Sequence, residues 1–340
     1  MNRLFRWDQT GLFLLALAAG ILPFAVPEVC AAALREGLAL CSGPLLLSLF
    51  PFLVVSRLLV QCPESDLLAL PFRLAAWGIG IRTPCAARVL CIGFLGGFAP
   101  AASAAAQAVR TGQLTAEEAD ALLPACICSG PSFVVLTVGQ SLLGSAELGV
   151  LLFASQITAN YLTAALLNQF AGVRSVKPGS AAPASPAPPR LDEILADAAI
   201  TYCKLCGFIL FFRMLAAGAG ALLPDGAGTL CSILLEVCSG CDLASRTGRW
   251  GSLLCCAALS VQGLSVLLQV RTICPPEMTL RPLYRARLLH LPLSLALFYL
   301  LLPGGEADVF STLPARVLLM RRVLVVVYKV RSNTDIFQMQ

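Results

Sequence analysis

Long apolar runs, each with at most one charged residue, constrain this chain more than any other feature. Four of them approach or exceed the roughly 20 residues that a helix needs to cross a bilayer. They are Gly37–Val60, Leu148–Gly172, Gly207–Pro224 and Leu288–Pro303. A composition of 58% hydrophobic and 13% charged residues is also far from that of soluble domains. The sequence therefore predicts an all-α, polytopic integral membrane protein located in the cell membrane.

The first apolar run, Gly11–Val26, has two interpretations. It follows Arg3 and Arg6, as the apolar region of a signal peptide would. However, no convincing small-residue cleavage motif precedes Glu28, and the chain that follows is itself apolar. We therefore expect residues 1–26 to form an N-terminal transmembrane helix, with a signal peptide as the alternative.

Basic residues gather in three regions, and their placement predicts topology. Loops rich in Lys and Arg stay on the cytoplasmic side of a membrane, so we expect these regions to share that side. A soluble basic face interleaved with aromatic residues is not found in the sequence, so no nucleic-acid partner is expected. The basic residues are Arg3 and Arg6, then Arg174, Lys177 and Arg190, and finally Arg316, Arg321, Arg322, Lys329 and Arg331.

A stretch rich in Pro, Ser and Ala, residues 173–190, divides the chain and predicts a flexible linker. Two membrane-embedded segments, 27–172 and 191–303, lie on either side of it. Each begins with an acid-containing, partly amphipathic helix that leads into a long apolar span. A basic tail, residues 304–340, completes the predicted organisation.

The two segments carry similar sequences in their long apolar spans. FLVVSRLL (Phe52–Leu59) and FILFFRML (Phe208–Leu215) match position by position, including Arg57 and Arg213. Many secondary transporters are built from such repeats, often inverted, with the substrate site where the repeats meet. We therefore expect the segments to be repeated halves that superpose.

Small residues and helix breakers interrupt otherwise apolar sequence at four places. They lie in Gly93–Gln107, Ser129–Pro131, Leu235–Ser245 and Leu259–Gln269. Gly and Pro free backbone groups that lipid cannot satisfy, so such breaks are tolerated where the backbone is buried or lines a cavity. Close packing of helices also selects small residues, but the corresponding order of the breaks favours broken or re-entrant helices. We expect that Gly93–Gln107 does not cross the bilayer as one straight helix.

The interrupted segments carry a resemblance to a known family. GFLGGFAPAA (Gly93–Ala102), CSGPSFVVLTVG (Cys128–Gly139) and LLEVCSG (Leu234–Gly240) resemble the YlbJ-type sporulation integral membrane proteins, which belong with the nucleoside-recognition or Gate-domain proteins. The resemblance extends over most of residues 27–303. It implies two Gate-like halves in a fold related to concentrative nucleoside transporters. It also implies a role in sporulation, in a mother-cell or forespore membrane, with dipicolinate as a candidate solute.

Candidate solute contacts follow from these breaks. Where the family tends to have a Gly-Tyr-Pro turn, this chain has Gly97-Phe98-Ala99-Pro100. We therefore expect backbone groups at the breaks and nearby hydroxyl and amide side chains to contact the solute. The candidates are Gly97, Pro100, Ser129, Ser132, Thr137, Ser260, Gln262, Ser265 and Gln269.

Charged residues inside the apolar spans are a further set of candidates. Arg57, Arg213 and Glu236 lie in or beside such spans, where ionised groups usually face a cavity or a partner. Two guanidiniums in equivalent places would converge on a small dicarboxylate. The alternatives are that Arg57 extends to the membrane surface, and that Glu236 pairs with either arginine or binds a coupling cation. His290 is expected at the membrane boundary.

The sequence favours a transporter of a small solute, with the lipid bilayer as its other partner. A scaffold that binds sporulation membrane proteins or a second copy of the chain is the first alternative, and a carrier of nucleoside-like solutes is the second. No catalytic motif accompanies the single histidine, so no enzyme activity and no cofactor are expected. The pairs Cys203/Cys206 and Cys238/Cys241 have metal-ligand spacing, but one helix turn gives the same spacing, so no metal is expected.

Overall fold

A computed structural model describes residues 9–61, 65–171 and 190–302, and within these ranges the chain is helical with no β-strand. Three predicted features lie mostly or wholly outside the described residues. They are the linker 173–190, the tail 304–340 and most of the basic residues of the three regions. The helices are α1 (Gln9–Ala25), α2 (Pro27–Ser42), α3 (Pro44–Gln61), α4 (Ser65–Leu68), α5 (Leu70–Gly78), α6 (Pro84–Gly96), α7 (Phe98–Arg110), α8 (Ala116–Cys126), a π-helix (Ser132–Leu142), α9 (Ala146–Ala171), α10 (Leu191–Leu222), α11 (Asp225–Leu235), α12 (Val237–Ser245), a 3₁₀ turn (Gly248–Trp250), α13 (Gly251–Val261), α14 (Gly263–Ile273) and α15 (Arg281–Leu301).

Within the described ranges, four helical segments are long and apolar enough to cross a membrane. They are Pro27–Leu47, Ala146–Ala171, Leu191–Leu222 and Gly248–Ile273. Large apolar side chains such as Phe24 and Phe170 project from the outer surface, as expected where lipid replaces water. The fold is therefore compatible with an all-α, membrane-embedded protein.

Helix α10 connects the parts of the chain that precede and follow the linker. It runs antiparallel to α2 and α3, because Asp197 near its start lies against Arg57 and Leu210 lies against Gly37. A Cβ atom at Gly37 would lie only 2.9 Å from the Leu210 side chain, so glycine permits the close approach of α2 and α10. The Tyr202 hydroxyl of α10 also donates a hydrogen bond to the Cys41 carbonyl.

Helices are interrupted in each of the four segments where the sequence predicts a break. Gly97 separates α6 from α7 with φ +82°, and residues 127–131 separate α8 from the π-helix. Glu236 separates α11 from α12 in an extended conformation, and Gln262 separates α13 from α14 with φ +65°. Gly93–Gln107 is accordingly not one straight helix, because α6 ends at Gly96 and α7 begins at Phe98; how the segment lies in a bilayer stays a prediction.

The four interruptions contact one another in pairs. A Cβ atom at Gly97 would lie 2.6 Å from the Gly130 nitrogen, so the first interruption packs directly on the second. A Cβ atom at Gly263 would lie 3.0 Å from the Glu236 nitrogen, so the third packs on the fourth. Only glycine allows backbone segments to approach this closely.

Substitution of Gly97 tests the packing of the first two interruptions. Gly97 has φ +82° and ψ −162°, a region of backbone conformation that is essentially restricted to glycine. We expect Gly97→Ala to lower the free energy of unfolding by about 1–3 kcal/mol, measured by thermal unfolding of the purified protein. Gly207→Ala is the matched control, because Gly207 lies within helix α10 with no atom within 4 Å of its Cβ position. Equal stability of the two variants would contradict the packing.

Candidate functional site

A small, partly open cavity of about 50 Å³ lies where the first three interruptions meet helix α14, which follows the fourth. It has room for water molecules but not for a solute of the size that ligand pockets usually hold, roughly 300 Å³ or more. Side chains of α3 and α10 close it from one side. Its lining includes Gly96 and Phe98 at the first interruption, Ser129, Gly130 and Ser132 at the second, Glu236, Val237 and Cys238 at the third, and Val266 and Gln269 of α14 after the fourth. Solute binding here would require the surrounding half-helices to move apart.

The amide side chains around this central cavity are not fully hydrogen-bonded. The Gln262 Nε2 lies 3.3 Å from the Ser129 Oγ, which joins the second and fourth interruptions. The Gln269 Nε2 donates to the Ser265 Oγ at 2.8 Å. The Oε1 atoms of Gln262 and Gln269 are buried and have no hydrogen-bond partner within the described ranges. Buried polar atoms are normally satisfied, so these oxygens are available to water or to a solute.

Glu236 is the N-cap residue of α12. Its carboxylate accepts hydrogen bonds from the backbone N–H groups of Cys238 at 2.8 Å and Ser239 at 2.7 Å, and from the Ser239 hydroxyl at 2.9 Å. A carboxylate at a helix N-terminus satisfies free N–H groups and interacts favourably with the helix dipole. Glu236 therefore acts as a helix cap in this structure, and the described ion pairs do not include it.

Arg57 of α3 lines a second cavity, which has a volume of about 180 Å³. Its guanidinium forms an ion pair with Asp197 at the start of α10. Arg110 and Lys204 also line this cavity, and Gln269 borders both it and the central cavity. The second cavity therefore carries three cationic side chains and one carboxylate among its lining residues.

Arg213 lines a third cavity, which has a volume of about 480 Å³. Along α10, the second cavity, the central cavity and the third cavity follow one another in that order. Its guanidinium pairs with Glu36 of α2 at 2.7 Å, and a second pair, Arg246 with Asp242, also lines the cavity. Arg57 and Arg213 do not converge, because their contacts on α10 are separated by about 24 Å at about 1.5 Å rise per residue. One small dicarboxylate does not bridge them in this structure.

The other predicted contact residues lie near the first two interruptions, except Ser260, which lies in the last turn of α13. Pro100 is buried and packs on Gly96, and Gly97 forms the break itself. Ser132 begins the π-helix and borders the central cavity, whereas Thr137 lies further along that helix and is half-buried. Ser260 is buried and hydrogen-bonded to Ser294, away from the central cavity's lining.

A buried polar network behind the interruptions was not predicted. Arg287 of α15 contacts the carbonyl oxygens of Ile127 and Ser260, and Asn160 of α9 contacts Ile127 as well. His290, expected at the membrane boundary, is buried with its Nε2 3.2 Å from the Gln156 carbonyl. The available signal was helical spacing, because the polar residues on α9 and on α15 recur at intervals of three or four residues.

The described residues contain no group of three His, Cys, Asp or Glu side chains that could hold a metal ion. Comparisons with protein-family models, with curated proteins and with solved structures found no match for this chain. The resemblance to YlbJ-type proteins therefore rests on the sequence motifs alone. The fold and the cavities define a helical, membrane-compatible protein with interrupted helices around a buried polar centre.

Substitution of Glu236 tests its role as a helix cap. Glu236→Ala removes acceptors for two backbone N–H groups, so we expect the free energy of unfolding to fall by about 1–2 kcal/mol. Glu236→Gln keeps one acceptor and should have a smaller effect. Glu117→Ala, in the exposed first turn of α8, serves as the control in the same thermal unfolding measurement. Equal decreases in the free energy of unfolding for Glu117→Ala and Glu236→Ala would contradict the capping role of Glu236.

Proposed function

We propose that this protein moves a small organic anion across a membrane, through the cavity at which the four interrupted helices meet. The convergence of these interruptions is the observation that carries the proposal. Broken helices are expensive in a membrane and are tolerated where they line a cavity or a substrate site. In secondary transporters, such helices bind the solute near the middle of the membrane.

The proposal includes two repeated Gate-like halves, residues 27–172 and 191–303. The order of elements supports this. In the first half, α6 and α7 are separated by one residue and precede α8 and the π-helix, which are separated by residues 127–131. In the second half, α11 and α12 are separated by one residue and precede α13 and α14, which are also separated by one residue. The ion pairs also support it, because Arg57 pairs with Asp197 of the second half and Arg213 pairs with Glu36 of the first half. Reciprocal contacts of this kind are expected when two repeats are related by an approximate two-fold axis.

The three cavities suggest a route for the solute. Gln269 borders the second cavity and the central one. Glu236 borders the central cavity, and its partner Ser239 borders the third. A solute that passed along this series would meet Arg57 near one end and Arg213 near the other. The arginines would therefore act in succession rather than together.

Arginine at both ends of the route favours a carboxylate-bearing solute. A guanidinium offers a planar fork of donors that fits a carboxylate, and both arginines have an Nε that is buried and unbonded within the described ranges. Dipicolinate is the candidate that the YlbJ resemblance implies, in a sporulation role. A nucleoside-like solute is the second candidate, because the unpaired amide oxygens of Gln262 and Gln269 suit neutral hydrogen-bond donors.

Uptake into vesicles tests the proposal. The purified protein is reconstituted into phosphatidylethanolamine and phosphatidylglycerol vesicles, and accumulation of radiolabelled dipicolinate is measured. We expect Arg57→Lys and Arg213→Lys to reduce uptake by about tenfold each, since lysine keeps the charge but loses the fork. Arg190→Lys is the control, because Arg190 is exposed and pairs only locally with Asp192.

Competition separates the candidate solutes. Inhibition of dipicolinate uptake by other aromatic dicarboxylates, and not by uridine, supports an anion carrier. Uptake of uridine with no uptake of dipicolinate would favour the nucleoside-like alternative. Absence of flux for both solutes in folded, reconstituted protein would contradict transport and favour a scaffold for sporulation partners.

A further inference from the structure

Arg287 is a buried cation that has no carboxylate partner among the described residues. The residue is 8% exposed on α15, in the interior of the fold. Its Nη2 donates to the Ile127 carbonyl at 3.0 Å and lies 3.4 Å from the Asn160 Oδ1, and its Nη1 lies 3.3 Å from the Ser260 carbonyl. Among the ion pairs of the described ranges, none involves Arg287. A buried charge usually needs a compensating charge, so its surroundings must supply one in another form.

The compensating charge comes from the ends of two interrupted helices. Ile127 follows the last residue of α8, and Ser260 lies in the last turn of α13. The last carbonyl groups of a helix have no partner within it, and the helix dipole places roughly −0.5 of an elementary charge at each such end. Two such ends together carry about −1, which balances one guanidinium.

Carbonyl groups at the ends of broken helices are also the groups that bind a coupling cation in many transporters. Here the guanidinium contacts one carbonyl at each of the two helix ends. The geometry points to Arg287 as a permanently attached cation, which takes the place of a diffusible Na⁺ or K⁺ between α8 and α13. This inference rests on the proposed transport function for its consequence, namely that solute movement needs no Na⁺ bound at these carbonyls.

Two amide side chains of α9 surround the carbonyl groups that the guanidinium contacts. The Asn160 Nδ2 contacts the Ile127 carbonyl at 3.4 Å, next to the guanidinium. The Gln156 Nε2, one turn earlier on α9, donates to the Ser260 Oγ at 3.0 Å. Both residues are buried, so the carbonyls are enclosed by fixed polar groups rather than open to solvent. The guanidinium is dehydrated once, when the protein folds, whereas a free ion would be dehydrated each time that it bound.

Thermal unfolding of the purified full chain tests the inference without any transport assay. The midpoint is measured in NaCl, KCl and choline chloride at equal ionic strength. We expect the wild-type midpoint to be the same in the three salts. Arg287→Ala should lower the midpoint by about 5 °C or more, and millimolar guanidinium, but not choline, should restore part of the loss. Arg285→Ala is the control, because Arg285 is exposed on the same helix.

Two results would overturn the inference. One is a wild-type midpoint raised specifically by Na⁺ or K⁺, because the carbonyl site would then accept a free cation. The other is an Arg287→Ala variant as stable as Arg285→Ala and insensitive to guanidinium. If Arg287→Ala is not recovered folded, Arg287→Lys replaces it, and its midpoint should likewise be independent of the cation. A failure of dipicolinate uptake alone would contradict the proposed function and leave these stability results unchanged.

Discussion

The fold depends on how the backbone groups at the four helix interruptions are satisfied. Lipid offers them no hydrogen bonds, so each interruption must find partners within the protein. The carboxylate of Glu236 satisfies the start of α12, and the guanidinium of Arg287 satisfies the ends of α8 and α13. The first interruption is held differently, by direct backbone packing of Gly97 on Gly130. The same contacts that satisfy the interruptions therefore bring them together around the central cavity.

This requirement explains why polar residues are buried in so apolar a chain. Gln156, Asn160 and His290 lie in the interior on helices that are otherwise hydrophobic. Each contacts a backbone carbonyl, and for Asn160 that carbonyl, of Ile127, lies at an interruption. Their pairing is incomplete, because the Gln156 Oε1 and the His290 Nδ1 are buried without a hydrogen-bond partner within the described ranges, as are the Oε1 atoms of Gln262 and Gln269. Among these residues, Gln269 lines the central cavity, so its free oxygen is a group that water or a solute could contact there.

The sequence predicted the interruptions but not the residues that stabilise them. Glycine, proline and serine in apolar runs are a local signal, so the breaks near Gly97 and Ser129 could be read directly. The partners of Arg57 and Arg213 could not, because Asp197 and Glu36 are 140 and 177 residues away along the chain. Which of these distant residues meet is decided by the antiparallel packing of α10 on α2 and α3.

The burial of Arg287 on α15 also could not be predicted from the local sequence. Arg285, Arg287 and His290 lie close together in sequence, and such a cluster is typical of a helix end at the membrane surface. In the structure Arg285 is exposed, whereas Arg287 and His290 are buried. The face that α15 turns to the interior is set by its packing against α8, α9 and α13, which local sequence does not encode.

Photo-crosslinking from Phe133 tests most directly whether interruptions from both sides of the linker meet at one cavity. Phe133 lines the central cavity on the π-helix, which contacts α12. Replacing it with the photoreactive analogue p-benzoylphenylalanine in native membranes, followed by mass spectrometry of the linked peptides, identifies its neighbours. The structure predicts crosslinks to the peptide that contains Val237 and Cys238. Crosslinks confined to residues 84–171 or to lipid would contradict the shared cavity.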